Sequence, residues 1–406
     1  MKLPLSAEFF PRPPLSSTQV AAIKQIARRT TVELVDHARV TGGPIQWTLS
    51  ADEKYVKIFK GHDSQAPPGV TSWLAESMVC ATLDEIQRMF YCANTAAYKT
   101  YIQTFYDEVK DGVKLYDIVT PTSDTPHHFI GVNWVAQVLP AHGFVVKNRD
   151  WCFVECQRDC VIDGKRAWVR SFRSIELPDA CPNLYDAMGF IRAEHHRSGI
   201  VYIETDHPGV LRVLHLSQVY LHGDLMRNLN LLESVVQYGV KRRSKTMATR
   251  IERALRAHRL GATPFVLAVP PTTTDGPIGD STTCTLCCKR FGLLGRRVQC
   301  QKCGHVVCRR AKCSALWDVP LQGHVFSRRI CTLCSTGGGA DALARHERRD
   351  ASYVIADDDQ CSTSTSHETE QSRCFDDAEL DKVLMTYSGL DLKLSGQDDD
   401  LRFCVT

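Results

Sequence analysis

The order of apolar and polar positions divides the chain into stretches of different period. Behind a proline-rich start over 1–15, Val20, Ile23 and Ile26 recur at helical spacing, and Ser16, Ser17 or Thr18 can cap a helix running to about Val40. Gly42-Gly43 breaks that pattern. Stretches 45–49, 55–59 and 71–80 read as strands, the first two as a hairpin around Ala51-Asp52. Thr82-Leu83-Asp84-Glu85 has capping-box spacing and predicts a short helix toward Met89, with a second helix over 96–109. Strand-like stretches follow at 114–119, 129–138, 151–160, 167–175, 200–204 and 210–221. Asp163-Gly164 and His207-Pro208-Gly209 mark turns between them. A long helix is predicted over 224–258, with Leu225, Leu229, Leu232, Val236, Val240, Met247, Ile251 and Leu255 near one stripe.

Strands joined by hairpin signals, without regular βαβ alternation, predict an α+β fold with an antiparallel sheet and a long closing helix over 16–258. The Pro, Thr and Gly content of 259–282 is that of a linker. Residues 337–406, including Cys361-Ser-Thr-Ser-Thr-Ser366, are too polar to bury a core and are expected to be disordered, with 375–394 as one short amphipathic helix.

Charge separates the last two regions. The net charge of +3 averages a segment 283–336 with ten Lys/Arg against Asp318 alone and a segment 335–406 with seven against sixteen acids. The first suits an anionic partner; the second suits a solvated or autoinhibitory tail. No run of about 18 apolar residues is present to span a bilayer. The start, MKLPLSAEFFPRPP, lacks the apolar core of a signal peptide, so a cytoplasmic location is expected.

In a reducing compartment, clustered cysteines read as metal ligands. Nine of the 18 cysteines fall between 284 and 334. Eight form the pattern Cys284-x2-Cys287-x12-Cys300-x2-Cys303-x4-Cys308-x4-Cys313-x17-Cys331-x2-Cys334, and Cys288 and His305 stand beside it. Zinc takes four such thiolates in a closed tetrahedral site, so eight imply two Zn2+ ions, with 283–336 drawing its folding energy from them.

The cysteine pattern resembles the FYVE-type zinc fingers. That resemblance implies an alternating pairing: Cys284, Cys287, Cys308 and Cys313 on one zinc, Cys300, Cys303, Cys331 and Cys334 on the other. It also implies that Arg296 and Arg297 meet a phosphoinositide headgroup and that Leu293 and Leu294 enter the membrane. The family's two histidines and following arginine are replaced by Val298, Gln299 and Gln301, no Trp-x-x-Asp precedes Cys284, and Cys308 and Cys313 are more widely spaced than usual. Arg309 and Arg310 add to the basic face. The segment 16–258 is similar in element order to the START domain, a helix-grip fold around an apolar lipid, and Arg149-Asp150-Trp151-Cys152 looks like one of its strand motifs. START-like domains precede FYVE-type fingers in many oomycete proteins.

Together these imply a nonenzymatic, zinc-binding, lipid- or membrane-associated adaptor, peripheral on endosomal membranes. The alternative is a protein-binding scaffold, such as a small-GTPase effector, whose finger never touches lipid. An all-cysteine ligand set argues against a RING-type ubiquitin ligase, and no base-reading helix or stacking motif supports nucleic-acid binding. GxxxxGK[ST], GxSxG and HExxH are absent. His127-His128 and His195-His196 lack ligand spacing and read as ordinary surface or strand residues.

Overall fold

The computed structural model describes residues 2–53, 56–139, 147–223, 229–266, 282–292, 297–321 and 324–336. They divide into two compact units, the first reaching Ile251 and the second starting at Glu252.

The first unit opens with α1, Ser17–His37, capped by Ser16 in a full capping box with Gln19. The helix stops three residues before the expected Val40. Nine strands follow: β1 Gln46–Glu53, β2 Val56–His62, β3 Thr71–Val79, β4 Val109–Val119, β5 Phe129–Gln137, β6 Arg149–Ile162, β7 Lys165–Ser174, β8 Ile191–Glu204 and β9 Leu211–Tyr220. Helices α2, Leu83–Phe90, and α3, Thr95–Phe105, join β3 to β4. A single turn, α4, Tyr185–Met188, precedes β8, and α5 spans Leu229–Gly261. Thr82 and Glu85 close the capping box that the sequence announces for α2.

The strands form one sheet in the order β1-β2-β3-β9-β8-β7-β6-β5-β4, antiparallel except for a short parallel pairing of Arg149–Trp151 with Ile191–Ala193. The Asp163-Gly164 turn between β6 and β7 has φ of 51° and 79°, the left-handed pair a tight hairpin requires. The first hairpin differs from expectation. Ala51 and Asp52 lie inside β1, opposite Ile58 and Lys57, because a register shift between Leu49 and Ala51 lets the strand continue to Glu53. The second predicted helix also ends early, since β4 begins at Val109.

Alternation gives the sheet two faces. On β7, Ala167, Val169 and Ser171 turn toward α1, where Leu34 joins their apolar cluster and Thr31 Oγ1 lies 3.1 Å from Ser171 Oγ. Gly199 on β8 sits beneath this helix. A Cβ there would come within 2.3 Å of the Arg170 carbonyl and 2.5 Å of Leu34, so only glycine fits. Leu5 and Phe10 from the proline-rich start are buried in a second cluster with Ile23, Trp134 and Cys152, which its composition did not announce.

The second unit contains the last turns of α5 and four short strands: β10 Arg297–Gln299, β11 Val306–Cys308, β12 Ser314–Leu321 and β13 His324–Cys331, followed by α6, Thr332–Ser335. They pair as two hairpins. Ala257, Leu260, Val307, Trp317, Val319 and Ile330 form its small core together with buried cysteines. No described helix is long and apolar enough to cross a membrane.

Candidate functional site

The face of the sheet opposite α1 lines a partly open cavity of about 590 Å³. Strand alternation explains its wall. Trp151 and Phe153 on β6, Arg170 and Phe172 on β7, and His215, Ser217 and Val219 on β9 all line it, each two residues from the next along its strand. Helix α3 contributes Tyr98, Tyr101 and Ile102, and α5 contributes Val235, Val236, Gly239, Val240 and Arg243. The predicted stripe on α5 is present from Leu232 onward, with Leu232, Val236, Met247, Ile251 and Leu255 buried. Leu225, and the side chain of Leu229, lie outside the described residues.

One charged pair is built into this wall. Arg170 Nε donates to Glu155 Oε1 at 2.6 Å, and both side chains are at most 3% exposed. Glu155 also accepts from Asn133 Nδ2 at 2.8 Å and Gln157 Nε2 at 2.6 Å. The Arg170 guanidinium donates to the Tyr101 hydroxyl and lies over the rings of Phe90, Tyr101 and Phe172 at 5.3, 4.8 and 5.1 Å. Burial works against its charge, but Glu155, followed by Tyr101 and Tyr106, more than offsets this and its pKa is raised well above the ordinary arginine range. Burial pushes the Tyr101 hydroxyl up as well. Near the cavity rim, Arg243 Nε donates to Glu108 at 2.6 Å and Arg250 to Asp107 at 2.6 Å, tying α5 to the segment between α3 and β4.

Three histidines have pKa values far below normal. Burial holds His195 and His215 down to about 3, helped in both by Arg243, and His196 down to about 4, helped by Arg173 and Arg197. His195 is a strand residue, as expected, and it also lines the cavity and stacks on Trp151 at 4.3 Å. No local spacing could have announced it. His127, by contrast, pairs with Asp159 at 2.9 Å on the outside of the domain.

The Arg149-Asp150-Trp151-Cys152 run has mostly structural partners. Arg149 Nε donates to the Leu221 carbonyl at 2.7 Å, and Asp150 accepts from Trp134 Nε1 and Arg192, both at 2.9 Å. Trp151 alone of the four reaches the cavity.

In the second unit the eight cysteines gather into two groups, Cys284, Cys287, Cys308 and Cys313, and Cys300, Cys303, Cys331 and Cys334. Within each, every Sγ lies within 4.8 Å of the others. Cys287 and Cys308 are 3.9 Å apart, as are Cys303 and Cys331. A tetrahedral metal with sulfur at about 2.3 Å sets neighbouring sulfurs about 3.8 Å apart, so the thiols already stand at metal-site spacing. Backbone N–H groups of Cys308 and Cys331 donate to the sulfurs of Cys284 and Cys300, each at 3.2 Å, which favours thiolates there. The turns that bring each pair inward end in a left-handed residue, Cys288 (φ 54°) after Cys287 and Gly304 (φ 79°) after Cys303. Cys288 and His305 belong to neither group.

Of the residues expected to meet lipid, Arg297 is exposed at the start of β10, with Arg309 and Arg310 exposed beyond β11. Leu293, Leu294 and Arg296 lie outside the described residues, as does the whole acidic tail.

Residues 119–255 match the family model described as START domain. No curated protein matches the chain. Among solved structures, human StAR-related lipid transfer protein 5 is similar at 15% identity, over 58% of this chain and 98% of that one, with a TM-score of 0.44. Human STARD10 is similar at 13% identity, over 59% and 80%, with a TM-score of 0.37. The human StarD13 (DLC2) lipid transfer and protein localization domain is similar at 11% identity, over 59% and 98%, with a TM-score of 0.36.

Proposed function

We propose that this chain is a nonenzymatic lipid-associated adaptor, in which the first unit holds one apolar lipid and the second is a two-zinc, FYVE-like finger that meets anionic membrane. The observation that carries this reading is the cavity of about 590 Å³, a size typical of small-molecule sites and walled mainly by aromatic and aliphatic side chains. A core that was simply packed would leave few voids larger than a water molecule. The START match over 119–255 supports the same reading.

Two all-cysteine groups at tetrahedral spacing fit structural zinc, with no position left open for catalysis. Bound zinc would supply cross-links that a unit of this size cannot obtain from its short apolar core. Exposed Lys289, Arg290, Arg297, Arg309, Arg310 and Lys312 give the finger a positive surface. Near an anionic bilayer each such cation contributes about 1 kcal/mol. Each fully inserted leucine of the 293–294 pair would add about 1.5–3 kcal/mol. These terms suit reversible attachment on the cytoplasmic side of endosomal membranes. Because Val298 and Gln299 stand in place of histidines, attachment follows surface charge more than phosphate position.

Flotation of the zinc-loaded chain with vesicles carrying different monophosphorylated phosphoinositides tests this. Similar binding to all of them, weakened by about 0.5 M salt, is expected. Strong preference for the 3-phosphate would show a built headgroup site instead. No binding to any anionic vesicle would favour the scaffold that contacts a small GTPase.

A further inference from the structure

Strand β8 does not run regularly through the cavity wall. Its register against β9 shifts between His195 and Arg197. Side chains of a regular strand alternate, so His195 and Ser198, three positions apart, would face opposite sides of the sheet. Both line the cavity. The extra residue, His196, brings His195 round, which is what a bulge does where a side chain has to be re-aimed. Ser174 Oγ accepts the His195 backbone N–H at 2.9 Å and holds the irregular backbone in place.

The ring itself is fixed on three sides. Trp151 stacks on it at 4.3 Å and 25°, Phe153 meets it edge-on at 5.3 Å and 83°, and Phe172 lies tilted at 5.7 Å. Its Nδ1 is buried and has no hydrogen-bond partner among the described residues. The ring as a whole is only half-buried and lines the cavity, so its accessible edge is the part a ligand there can reach. With a pKa near 3 the imidazole is neutral at physiological pH, offering one N–H donor and one bare acceptor nitrogen.

The charged groups around it are already committed. Arg170 is held by Glu155 and Arg243 by Glu108, each at 2.6 Å. Arg242 lies 3.9 Å from Asp107, and Lys110 donates to the Asp107 carbonyl. Inside the cavity, a ligand with a formal negative charge would have to break the Arg170 or Arg243 pair to gain a cation, since Arg242 and Lys110 are exposed.

We propose that His195 is the hydrogen-bonding group for the ligand and selects an uncharged lipid that carries a hydroxyl. This rests on the lipid-cavity reading above. A hydroxyl can either donate to the bare nitrogen or accept from the N–H of a neutral imidazole, an ether can only accept, and a carboxylate adds a charge for which the inner wall has no uncommitted cation.

The test is displacement of Nile red from the full zinc-loaded chain at neutral pH by hexadecanol, its methyl ether and hexadecanoate. Hexadecanol is expected to compete about fivefold to tenfold better than the ether, the effect of one additional hydrogen bond. Hexadecanoate should do no better than the ether. His195→Phe keeps the ring stack and should abolish the preference, whereas His195→Gln, which keeps a donor and an acceptor, should retain part of it. Thermal melts of both variants report whether they fold, and the comparison in the unaltered chain needs neither. Equal competition by alcohol and ether, a preference that survives His195→Phe, or hexadecanoate as the best competitor would each overturn the assignment. Failure of all three to displace the dye would remove the lipid-cavity reading and the assignment with it.

Discussion

Removing Arg170 should be the most damaging single change in the cavity wall. In Arg170→Met the apolar stem is kept, but Glu155 stays at 3% exposure with only the neutral donors Asn133 and Gln157 beside it. Breaking a buried pair from one side costs about 3–5 kcal/mol, because an uncompensated charge is left behind. The lost cation–ring contacts with Phe90, Tyr101 and Phe172 act in the same direction. At about 2–4 °C per kcal/mol for a unit of this size, the melting transition of the first unit should fall by about 10 °C. Adding Glu155→Gln should restore much of the loss, since both charges are then gone and the remaining amide can still be hydrogen-bonded. Calorimetry on the zinc-loaded chain reads both variants. A loss under about 1 kcal/mol for Arg170→Met, or a double variant no better than the single one, would refute the view that this pair is a desolvated and mutually dependent feature.

Other outcomes follow from the same geometry. His195 and His215 have folded pKa values near 3, below the unfolded value of about 6.5, so the unfolded chain binds more protons between those limits. Stability of the first unit should be fully present above pH of about 6.5 and fall by about 1.4 kcal/mol per pH unit for each of these rings as acid is added; an unchanged acid slope in His195→Phe/His215→Phe would contradict this. Elemental analysis should find two zinc ions per chain, with chelation abolishing hydrogen-exchange protection over 282–336 and leaving β1–β9 protected; a count of one or zero would contradict the paired-site reading. Cys288 adopts φ 54° without ligating, so Cys288→Gly should stabilise the loaded finger by about 1 kcal/mol in chelator titration, and a loss of metal affinity would show that this thiol does ligate. Gly199→Ala should destabilise the first unit by several times the roughly 1 kcal/mol of a typical substitution, because its methyl would meet the Arg170 carbonyl at 2.3 Å.

Features with a local cause could be read from the sequence. The Thr82–Glu85 box, the Asp163-Gly164 turn and the stripe on α5 each depend on residues within one or two turns of each other, and each forms. The cysteine spacing named the residues that gather into two groups in the second unit. The cavity's chemistry is different in kind. Arg170 and Glu155 sit on adjacent strands fifteen residues apart, and Tyr101 reaches Arg170 from a helix 69 residues earlier. Neither distance leaves a spacing rule in the chain. His195 needed the bulge at His196, and a bulge depends on how β8 pairs with β9, not on either strand alone. The early part of β8, Ile191–Arg197, was missed for a related reason. Its run of Arg192, Glu194, His195, His196 and Arg197 lacks apolar alternation, because its partners are the Asp150 and Asp63 carboxylates and a cavity wall. The first hairpin turns later than the polarity pattern suggests because β1 carries polar Ser50, Asp52 and Glu53 within the strand.

The central claim is that the first unit encloses one lipid. Native mass spectrometry of the chain purified from cells without detergent measures this directly. One noncovalent adduct per chain, extractable into organic solvent and identifiable as an uncharged hydroxyl lipid, is the result predicted here. Val236→Trp, which fills space between α5 and the sheet, should arrive without it while remaining folded. A bare chain mass, together with no uptake when the protein is incubated with lipid vesicles, would contradict the claim.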